Sequence, residues 1–598
     1  MIEGKARHDA RAGTLLVPGD TCWRIERADR LAVIVDAAAY FRHLRAALRA
    51  AERFVYLIGW DFDLRLEMLP GESDEEGRAP DGLPNRLGDF LEHVVDAAPD
   101  LSLHILKWDK AVLVQLSQQL PETIGLKLSS DRIHFALDSH HPAGATHHQK
   151  VVVIDDRMAF CGGIDVTGGR WDTREHLPGD ERRHLPNGDP HKPWHDATTA
   201  LSGPVAAALG DLARTRWRAA NGEELGAPAV ASAPWPEGLD ADVEGVDVAI
   251  ARTKPRYHEQ DRVDEIERLY LAAIRGARRT IYLESQYFAA GSICEALERR
   301  LAEPDGPELL VINPDRAEGF LQHEAMDTAR ARMIERVRDA ARRGGGGPDG
   351  RERFRIYHPV NAAGEPIYVH AKVLIVDDRL VRIGSSNVNN RSMGFDTECD
   401  VAFEPATEAQ RAFALRLRHD LLAEHLGCEA QEVADAAGAR GSLLEAVDVL
   451  NGRSDRGLRE IDPGQLNAVT RELGERLLSD ERTYPRNRPH PFSAVSHGVR
   501  RAVSPYHVEA ALAGTVLLAA AVLIGAWAGT RLVRRRRRRE PAPAAFAPPV
   551  RRPLPPPAPP APRARPVPPR AAVAVVVEPD GDAAVAVVRP VPPRSTLR

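Results

Sequence analysis

Short apolar runs alternate with helical patterns along the chain, and the same alternation occurs twice. The apolar run at 54–61 follows a helical pattern over 38–51, and the apolar run at 281–288 follows a helical pattern over 263–277. Continuous apolar runs of this length are typical of strands buried on both faces of a sheet. The pattern therefore predicts α/β units in each half of the chain. The second strand-like segments that follow the two runs are 101–108 and 308–313.

Each half also contains a nearly identical block of eight residues, HQKVVVID at 148–155 and HAKVLIVD at 370–377. The first block begins 94 residues after Phe54, and the second begins 89 residues after Ile281. Both fit H-x-K-x4-D, followed after six residues by G-[GS]-x-[DN]. Identical spacing at every position indicates a duplicated domain. The motif residues are His148, Lys150, Asp155, Gly162, Gly163 and Asp165 in the first copy and His370, Lys372, Asp377, Gly384, Ser385 and Asn387 in the second.

The repeat and the changes in composition divide the chain into six segments. Two halves carry the motifs at 148–165 and 370–387, and a segment rich in Pro and small residues separates them. A helical and polar extension follows the second half, and after it come an apolar stretch and a basic, Pro-rich tail that is predicted to be disordered. The predicted segments are, in order, 1–226, 227–245, 246–425, 426–507, 508–531 and 532–598.

The residue types in the repeated block suit the cleavage of a phosphodiester. In a strand, residues i and i+2 lie on one face, so each His is predicted to project beside its Lys. Imidazole can act as a nucleophile or as a general acid near neutral pH, so one ring could attack phosphorus while the other protonates the leaving alcohol. The two ammonium groups, together with Ser385 and Asn387, are predicted to bind the non-bridging phosphate oxygens. This chemistry requires no metal ion and no cofactor.

These motifs resemble those of the phospholipase D superfamily, in its two-motif (HKD) branch. The resemblance covers roughly residues 20–425, and it includes GGIDVTGGRWD at 162–172, PWHD at 193–196 and GSSN at 384–387. It implies two duplicated α/β domains with central mixed sheets flanked by helices. In that family the two domains form a pseudo-dimer, and the active site lies between them.

The resemblance also implies roles for individual residues. In that family a carboxylate from a later strand orients each histidine, and the matching positions here are Asp196 and Glu398. By the same analogy His148 is the nucleophile, and His370 is the acid that later activates water or an alcohol. The motif aspartates that are expected to stabilise local structure are Asp155 and Asp377.

The loop at 174–196 is rich in histidine and is a candidate metal site. Its histidines are separated by eight, seven and four residues, which is not the spacing of a compact ligand set. The sequence therefore predicts a polar surface loop and no metal. The four residues are His176, His184, His191 and His195.

Charge divides the protein into an acidic body and a basic tail. The net charge is −6, but residues 531–598 carry +11, which leaves −17 for residues 1–530. An acidic body argues against nucleic acid as a partner, because binding to a phosphate backbone draws on clustered Lys and Arg. The five cysteines are odd in number and widely spaced, which favours a reducing compartment.

The stretch at 510–530 contains 21 residues without a charge, which is long enough to cross a bilayer as a helix. Arginines at 531 and 534–539 follow it, and Gly525 and Gly529 form a GxxxG pair that could support a helix dimer. We therefore expect a membrane-associated protein with a single C-terminal membrane helix. The arginines favour a body outside the cytoplasm, whereas the absence of an export signal favours a cytoplasmic body, which is the expectation we adopt.

Three functions are compatible with these features. The first is a phospholipase D that splits a membrane glycerophospholipid into phosphatidate and its head-group alcohol, or passes the phosphatidyl group to another alcohol, through a phosphohistidine. The second is a phosphatidyltransferase of the cardiolipin synthase type. The third, from another class, is a non-catalytic membrane scaffold. The motif is compatible with water and with an alcohol as the acceptor.

Overall fold

The computed structural model describes residues 13–109, 130–142, 144–228, 235–317, 320–347, 352–464 and 468–479, and two short strands near the C-terminus. The chain divides into two units, Met1–Ala502 and Val503–Arg598. In the second unit the strands Val573–Val576 and Val587–Pro590 pair in antiparallel fashion. The predicted membrane helix at 508–531 lies outside the described residues, as does its Gly525 and Gly529 pair. Among the residues that are described, no helix is both long and apolar enough to span a membrane.

The first unit contains twenty described strands, several of them only two residues long. They are β1 Arg24–Val35, β2 Phe54–Gly59, β3 Ser102–Trp108, β4 Ile133–Asp138, β5 Val151–Ile154, β6 Met158–Gly162, β7 Trp194–His195, β8 Ala197–Ser202, β9 Val243–Lys254, β10 Val263–Asp264, β11 Thr280–Glu284, β12 Phe288–Ala289, β13 Glu308–Ile312, β14 Phe354–Val360, β15 Tyr368–Val369, β16 Val373–Val376, β17 Leu380–Gly384, β18 Val388–Asn389, β19 Glu398–Phe403 and β20 Gly457–Glu460.

Eleven described helices pack around these strands. They are α1 Ala37–Arg49, α2 Leu87–Ala97, α3 Pro204–Asn221, α4 Glu265–Gly276, α5 Gly291–Leu301, α6 Phe320–Arg343, α7 Asn390–Gly394, α8 Glu408–Leu426, α9 Ala430–Arg440, α10 Leu443–Leu450 and α11 Ala468–Ser479. The predicted alternation of helix and strand is confirmed in both halves, although β11 ends at Glu284, before the end of the apolar run. Strand β9 begins at Val243, within the segment predicted as a linker.

Sixteen of the strands form one mixed sheet that includes both halves. Its order is β20-β14-β13-β11-β16-β17-β19-β9-β1-β8-β6-β5-β2-β3-β4, and β10 pairs with β9. Outward from the central β9–β1 pair, the strands of the two halves follow in equivalent order and with equivalent relative directions. The mixed α/β architecture is confirmed, but the expectation of a separate central sheet for each half is wrong. The twelve-residue strands β1 and β9 pair with each other, which satisfies backbone groups that two separate sheets would leave at their edges.

The apolar run in each motif is buried because its residues alternate between two cores. In β5, Val151 and Val153 belong to a core that includes α3 and α8, whereas Val152 and Ile154 belong to another that includes α1 and α2. The equivalent residues of β16 alternate in the same way, between the core of α8 and a core built by α4, α5 and α6. Helices therefore cover both faces of the sheet, and the start of β5 and of β16 is held rigidly.

The motif aspartates Asp155 and Asp377 close the turns that follow β5 and β16. Each has φ of +54°, and its carboxylate accepts three backbone N–H groups at the start of the neighbouring strand. Asp155 accepts those of residues 52–54 and Asp377 those of residues 278–280, at 2.7–2.9 Å. Neither residue contacts the histidines through these bonds, so the contacts described for both carboxylates are structural.

Replacing Asp155 or Asp377 by Asn is expected to lower the free energy of unfolding by about 1.5–3 kcal/mol, because three charge-assisted hydrogen bonds lose the ionised acceptor. Asn tolerates the positive φ, so the backbone conformation is retained. Urea denaturation measures the effect, and Asp247→Asn, at a half-exposed ion pair with Arg27, is the control. A large loss of turnover in fully folded Asp155→Asn protein would contradict this structural assignment.

Candidate active site

Backbone hydrogen bonds between the halves bring the two motif histidines to the same site. The amide of His148 donates to the carbonyl of Thr397 at 2.8 Å, and the amide of His370 donates to the carbonyl of His195 at 2.7 Å. Each acceptor immediately precedes one of the carboxylates that the sequence predicted to orient the histidines. The parallel pair β7–β15 lies beside the second contact. Each histidine is thus set against the opposite half of the protein.

The two orienting carboxylates are exchanged between the halves. Glu398 of the second half lies 3.0 Å, through Oε2, from Nδ1 of His148. Asp196 of the first half lies 2.6 Å, through Oδ2, from Nδ1 of His370. Both carboxylates are fully buried. Because Nδ1 is engaged in each ring, Nε2 is the nitrogen left for chemistry.

The two motif lysines are buried beside the histidines. Lys150 Nζ donates to the carbonyl of His148 at 3.0 Å and lies 2.9 Å from Asp165 Oδ2. Lys372 Nζ donates to the carbonyl of His370. Burial lowers the pKa of Lys372 to about 7; Asp196 opposes this effect, and the charge of Lys150 adds to it. The two ammonium groups therefore act on the same small volume, which favours an anionic ligand. Each motif His–Lys pair lies just before its strand, not within it as predicted.

The protonation of the histidine–carboxylate pairs is set mainly by burial. Burial and the charges of Lys150 and Lys372 hold the pKa of His148 well below its ordinary value. Burial raises the pKa of Glu398 to about 8, although hydrogen bonds from Ser385 and Ser392 oppose the shift. Both shifts disfavour charge on the buried His148–Glu398 pair in the absence of substrate. Burial and Lys372 likewise lower the pKa of His370 well below its ordinary value.

The two residues that were predicted to bind phosphate, Ser385 and Asn387, have different hydrogen-bond surroundings in the structure. The hydroxyl of Ser385 donates to Glu398 Oε2 at 2.5 Å and accepts the amide of Cys399 at 3.0 Å, so its hydrogen is already engaged. The backbone amide of Asn387 donates to Ser392 Oγ at 3.1 Å, and its side chain makes a long contact, 3.4 Å, from Nδ2 to Gln286 Oε1. Its Oδ1 atom is buried and has no hydrogen-bond partner in the described part of the chain. Ser385 thus helps to position Glu398 through this hydrogen bond.

The first motif copy ends in GGID at 162–165 and the second in GSSN at 384–387. This difference follows from the carboxylates that they contact, Asp196 and Glu398. A β-carbon at Gly163, the counterpart of Ser385, would lie 2.1 Å from Asp196 Oδ1, which no side chain permits. Glycine in the first copy thus makes room for Asp196, whereas Ser385 in the second copy supplies a hydrogen bond to the longer Glu398. The two motif ends are therefore matched to the carboxylate of their own half.

The histidine-rich loop is not a surface loop throughout, and this prediction is wrong for His176 and His195, which are both fully buried. One ligand atom from each of these residues lies within 4.8 Å of the others and of a carboxylate oxygen of Asp36 and of Glu424. Two imidazoles and two carboxylates are a donor set that could hold a divalent metal ion. Nearby carboxylates, against the effect of burial, raise the pKa of His176 to about 9, so the ring is protonated when no cation is bound.

This buried cluster also contacts the candidate site directly. Asp36 Oδ1 accepts the amide of Asp196 at 3.0 Å, and Glu424 Oε1 lies 2.7 Å from His195 Nδ1. The cluster lies directly behind the carboxylate that orients His370. Sequence spacing does not reveal it, because Asp36 and Glu424 come from opposite ends of the body.

Comparison with known proteins agrees with this geometry. A family model described as Phospholipase D matches residues 47–234 and 356–456, and each matched region contains one motif copy. Phospholipase D alpha 1 of Vigna unguiculata is 24% identical over 519 residues, which cover 64% of this chain and 63% of that protein. Phospholipase D alpha 2 of Oryza sativa subsp. japonica is 24% identical over 524 residues, covering 64% and 62%. The chain therefore spans somewhat less than two thirds of the length of these relatives.

Two solved structures are also similar to this chain. The phosphatidylserine synthase of Haemophilus influenzae Rd KW20 has a TM-score of 0.46 and 12% identity, over 69% of this chain and 93% of that one. The polyphosphate kinase of Porphyromonas gingivalis has a TM-score of 0.38 and 12% identity, over 72% and 48%.

The fold and site together define a duplicated α/β protein with one paired-histidine site, to which both halves contribute a histidine and a carboxylate. Residues 47–234 and 356–456 of the chain belong to the phospholipase D superfamily, and each of these regions carries one copy of the family's motif.

Proposed function

We propose that the protein is a phospholipase D that cleaves the phosphodiester of glycerophospholipids and releases phosphatidate and the head-group alcohol. The observation that carries the proposal is the reciprocal arrangement of His148 and His370, each with Nε2 left for chemistry and Nδ1 held by a carboxylate of the opposite half. The names of the relatives, phospholipase D alpha 1 and alpha 2, support the same activity.

In the proposed first step, Nε2 of His148 attacks the phosphorus atom. A P–N bond forms and the bond from phosphorus to the head-group oxygen breaks, while His370 Nε2 gives its proton to that oxygen. The negative charge of the bound phosphate counters the lysine charges, which raises the pKa of His370 and allows the ring to carry this proton. Glu398 stabilises the positive charge that develops on His148.

In the second step, the neutral His370 accepts a proton from water or an alcohol, whose oxygen attacks the phosphohistidine. The P–N bond breaks, and phosphatidate or a phosphatidyl alcohol is released. Lys150 and Lys372 stabilise the negative charge on the non-bridging oxygens in both steps. Asn387 offers an amide group in the same region. The buried cluster that contains Asp36 takes no part in either step, and its contact with the Asp196 amide keeps Asp196 in position.

The direct test is to incubate the purified full chain with phosphatidylcholine vesicles, with and without ethanol, and with phosphatidylglycerol vesicles. Release of choline with formation of phosphatidate is the expected result, and ethanol should divert part of the product to phosphatidylethanol. Cardiolipin made from phosphatidylglycerol, without release of choline, would favour the cardiolipin synthase alternative. Cleavage of single-stranded DNA without turnover of any lipid would contradict the proposal.

The pH dependence of kcat/KM is expected to show a decline as pH rises through about 7. The ammonium form of Lys372 is the active form, and its pKa in the free protein is lowered to about 7, so the charge is lost above that pH. Bound phosphate raises this pKa, so kcat should decline only at higher pH. Lys372→Arg, which stays charged, should abolish the decline near pH 7 and lower the rate. An unchanged profile in this variant would contradict the role given to Lys372.

A further inference from the structure

The guanidinium of Arg170 lies beside the proposed phosphate site, in the GGRWD segment. Its central carbon is 4.3 Å from the ring centroid of Trp194, and that ring is 5.1 Å from the ring of His370. Trp194 also stacks at 4.7 Å on Tyr368, which comes from the second half. Sequence reasoning included both Arg170 and Trp194 in the quoted motifs but gave neither of them a role.

Arg170 is partly buried and lacks the carboxylate partner that most of the buried arginines of this body possess; Arg418, whose guanidinium bonds Thr280 and His419, is an exception. No carboxylate pairs with Arg170 in the described part of the chain. Its Nε is buried without a hydrogen-bond partner, and its only hydrogen bond there is a long one, 3.4 Å, to the carbonyl of Gly169. By contrast, the buried arginines that pair with a carboxylate are Arg45 with Asp81, Arg183 with Asp172, Arg216 with Asp138, Arg330 with Asp327, Arg355 with Asp448 and Arg382 with Asp400.

A partly buried guanidinium without a counter-ion is costly to the folded state, and a bound anion relieves that cost. The positive charge of Arg170 changes the pKa of two groups of the proposed site, His370 and Lys372. Its charge is among the causes, after burial and Lys372, that lower the pKa of His370, and it also lowers the pKa of Lys372. The pKa of His148, by contrast, is lowered by burial and by the charges of Lys150 and Lys372. Arg170 therefore makes the site asymmetric, with the additional positive charge on the side of His370.

The second half has no arginine at the position that matches Arg170 in the motif register, and the neighbouring Arg391 is paired with Asp396. Arg170 is the eighth residue after Gly162, and the eighth residue after Gly384 is Ser392, whose hydroxyl donates to Glu398 Oε1 at 2.7 Å. At this position of the motif, the first half thus carries a guanidinium and the second half carries a hydroxyl that binds Glu398.

We propose that Arg170, held against Trp194, is a third cationic ligand of the substrate phosphate and contacts its non-bridging oxygens together with Lys150 and Lys372. This inference rests on the proposed function and adds a residue to the phosphate site. A guanidinium offers two parallel N–H donors to a phosphate, which an ammonium group does not.

The test compares Arg170→Gln and Arg170→Lys with the wild-type full chain. Arg182→Gln is the matched control, because Arg182 also lies over a tryptophan, Trp171, but pairs with Asp180. Binding of inorganic phosphate is measured by calorimetry, and kcat and KM are measured with bis(p-nitrophenyl) phosphate. We expect Arg170→Gln to weaken phosphate binding at least tenfold and to lower kcat/KM by about 10²-fold. Arg170→Lys should restore part of both, and Arg182→Gln should change neither by more than about threefold.

Thermal stability separates this role from a structural one. Because no carboxylate among the described residues pairs with Arg170, Arg170→Gln should keep or raise the melting temperature of the phosphate-free protein, whereas a structural arginine would lower it. Unchanged phosphate binding in Arg170→Gln, or a lowered melting temperature with full activity, would overturn the inference. If the wild-type chain cleaves no phosphodiester, the proposed function fails, but the phosphate-binding comparison still decides the role of Arg170.

Discussion

Replacing His148 or His370 by Asn is expected to lower the turnover of phosphatidylcholine by at least about 10³-fold, because each ring supplies a bond-making step that the other cannot replace. The double variant should be no slower than the slower single variant, since the two residues act as one unit. His93→Asn, at an exposed position of α2, is the control and should retain full activity. Release of choline from vesicles measures all four proteins.

A substrate with a good leaving group distinguishes the two histidines. Release of p-nitrophenolate needs little protonation, so His370→Asn should still form the phosphohistidine but hydrolyse it slowly. An early burst of p-nitrophenolate and a phosphorylated His148, detected by mass spectrometry after alkaline quenching, are the expected results. A burst in His148→Asn, with the label on His370, would reverse the two roles. Unchanged cellular function in both variants would favour the non-catalytic scaffold.

Replacing Glu398 by Gln or Asp196 by Asn is expected to lower kcat by about 10²–10⁴-fold, because the amide cannot stabilise an imidazolium and favours the wrong tautomer. Both carboxylates are buried at distances of 3.0 Å and 2.6 Å from the ring nitrogens, so water cannot take over their role. Glu408→Gln, at an exposed position of α8, is the control.

Because each carboxylate contacts the histidine of the opposite half, the two variants should differ in how strongly their rates depend on the leaving group. Asp196 belongs to the first half but orients His370, so Asp196→Asn should slow a substrate with a poor leaving group far more than p-nitrophenyl esters. Glu398→Gln acts on the attacking His148 and should slow both substrates. Comparing kcat for phosphatidylcholine and bis(p-nitrophenyl) phosphate measures this difference. If the leaving-group dependence is found in Glu398→Gln and not in Asp196→Asn, the assignment of the two histidines is wrong.

The features that the sequence predicted well are those that repeat or that depend on near neighbours. The apolar runs became β2 and β11, and the helical patterns before them became α1 and α4, within a few residues at each end. The two copies of the motif could be aligned residue by residue, because identical spacing survives in the sequence wherever the local backbone is the same.

The features that the sequence missed depend on residues far apart in the chain. His148 and Glu398 are separated by 250 residues, and Asp36 lies on the same buried cluster as Glu424. The histidine-rich loop was predicted to be exposed because its spacing, taken alone, matches no ligand set, and its carboxylate partners come from elsewhere. The role of Ser385 was likewise predicted without its neighbour, Glu398, in view.

The sequence by itself therefore determined the duplication, the α/β character and the identity of the paired histidines and lysines. Only the tertiary structure decided that the two halves form one sheet and that each histidine takes its carboxylate from the other half. It also decided that Arg170 has no carboxylate partner among the residues that the structure describes. The physical reason is that periodicity and spacing record which side chains share a strand or a turn. Burial, hydrogen-bond partners and charge balance are instead set by contacts that form only when distant segments pack together.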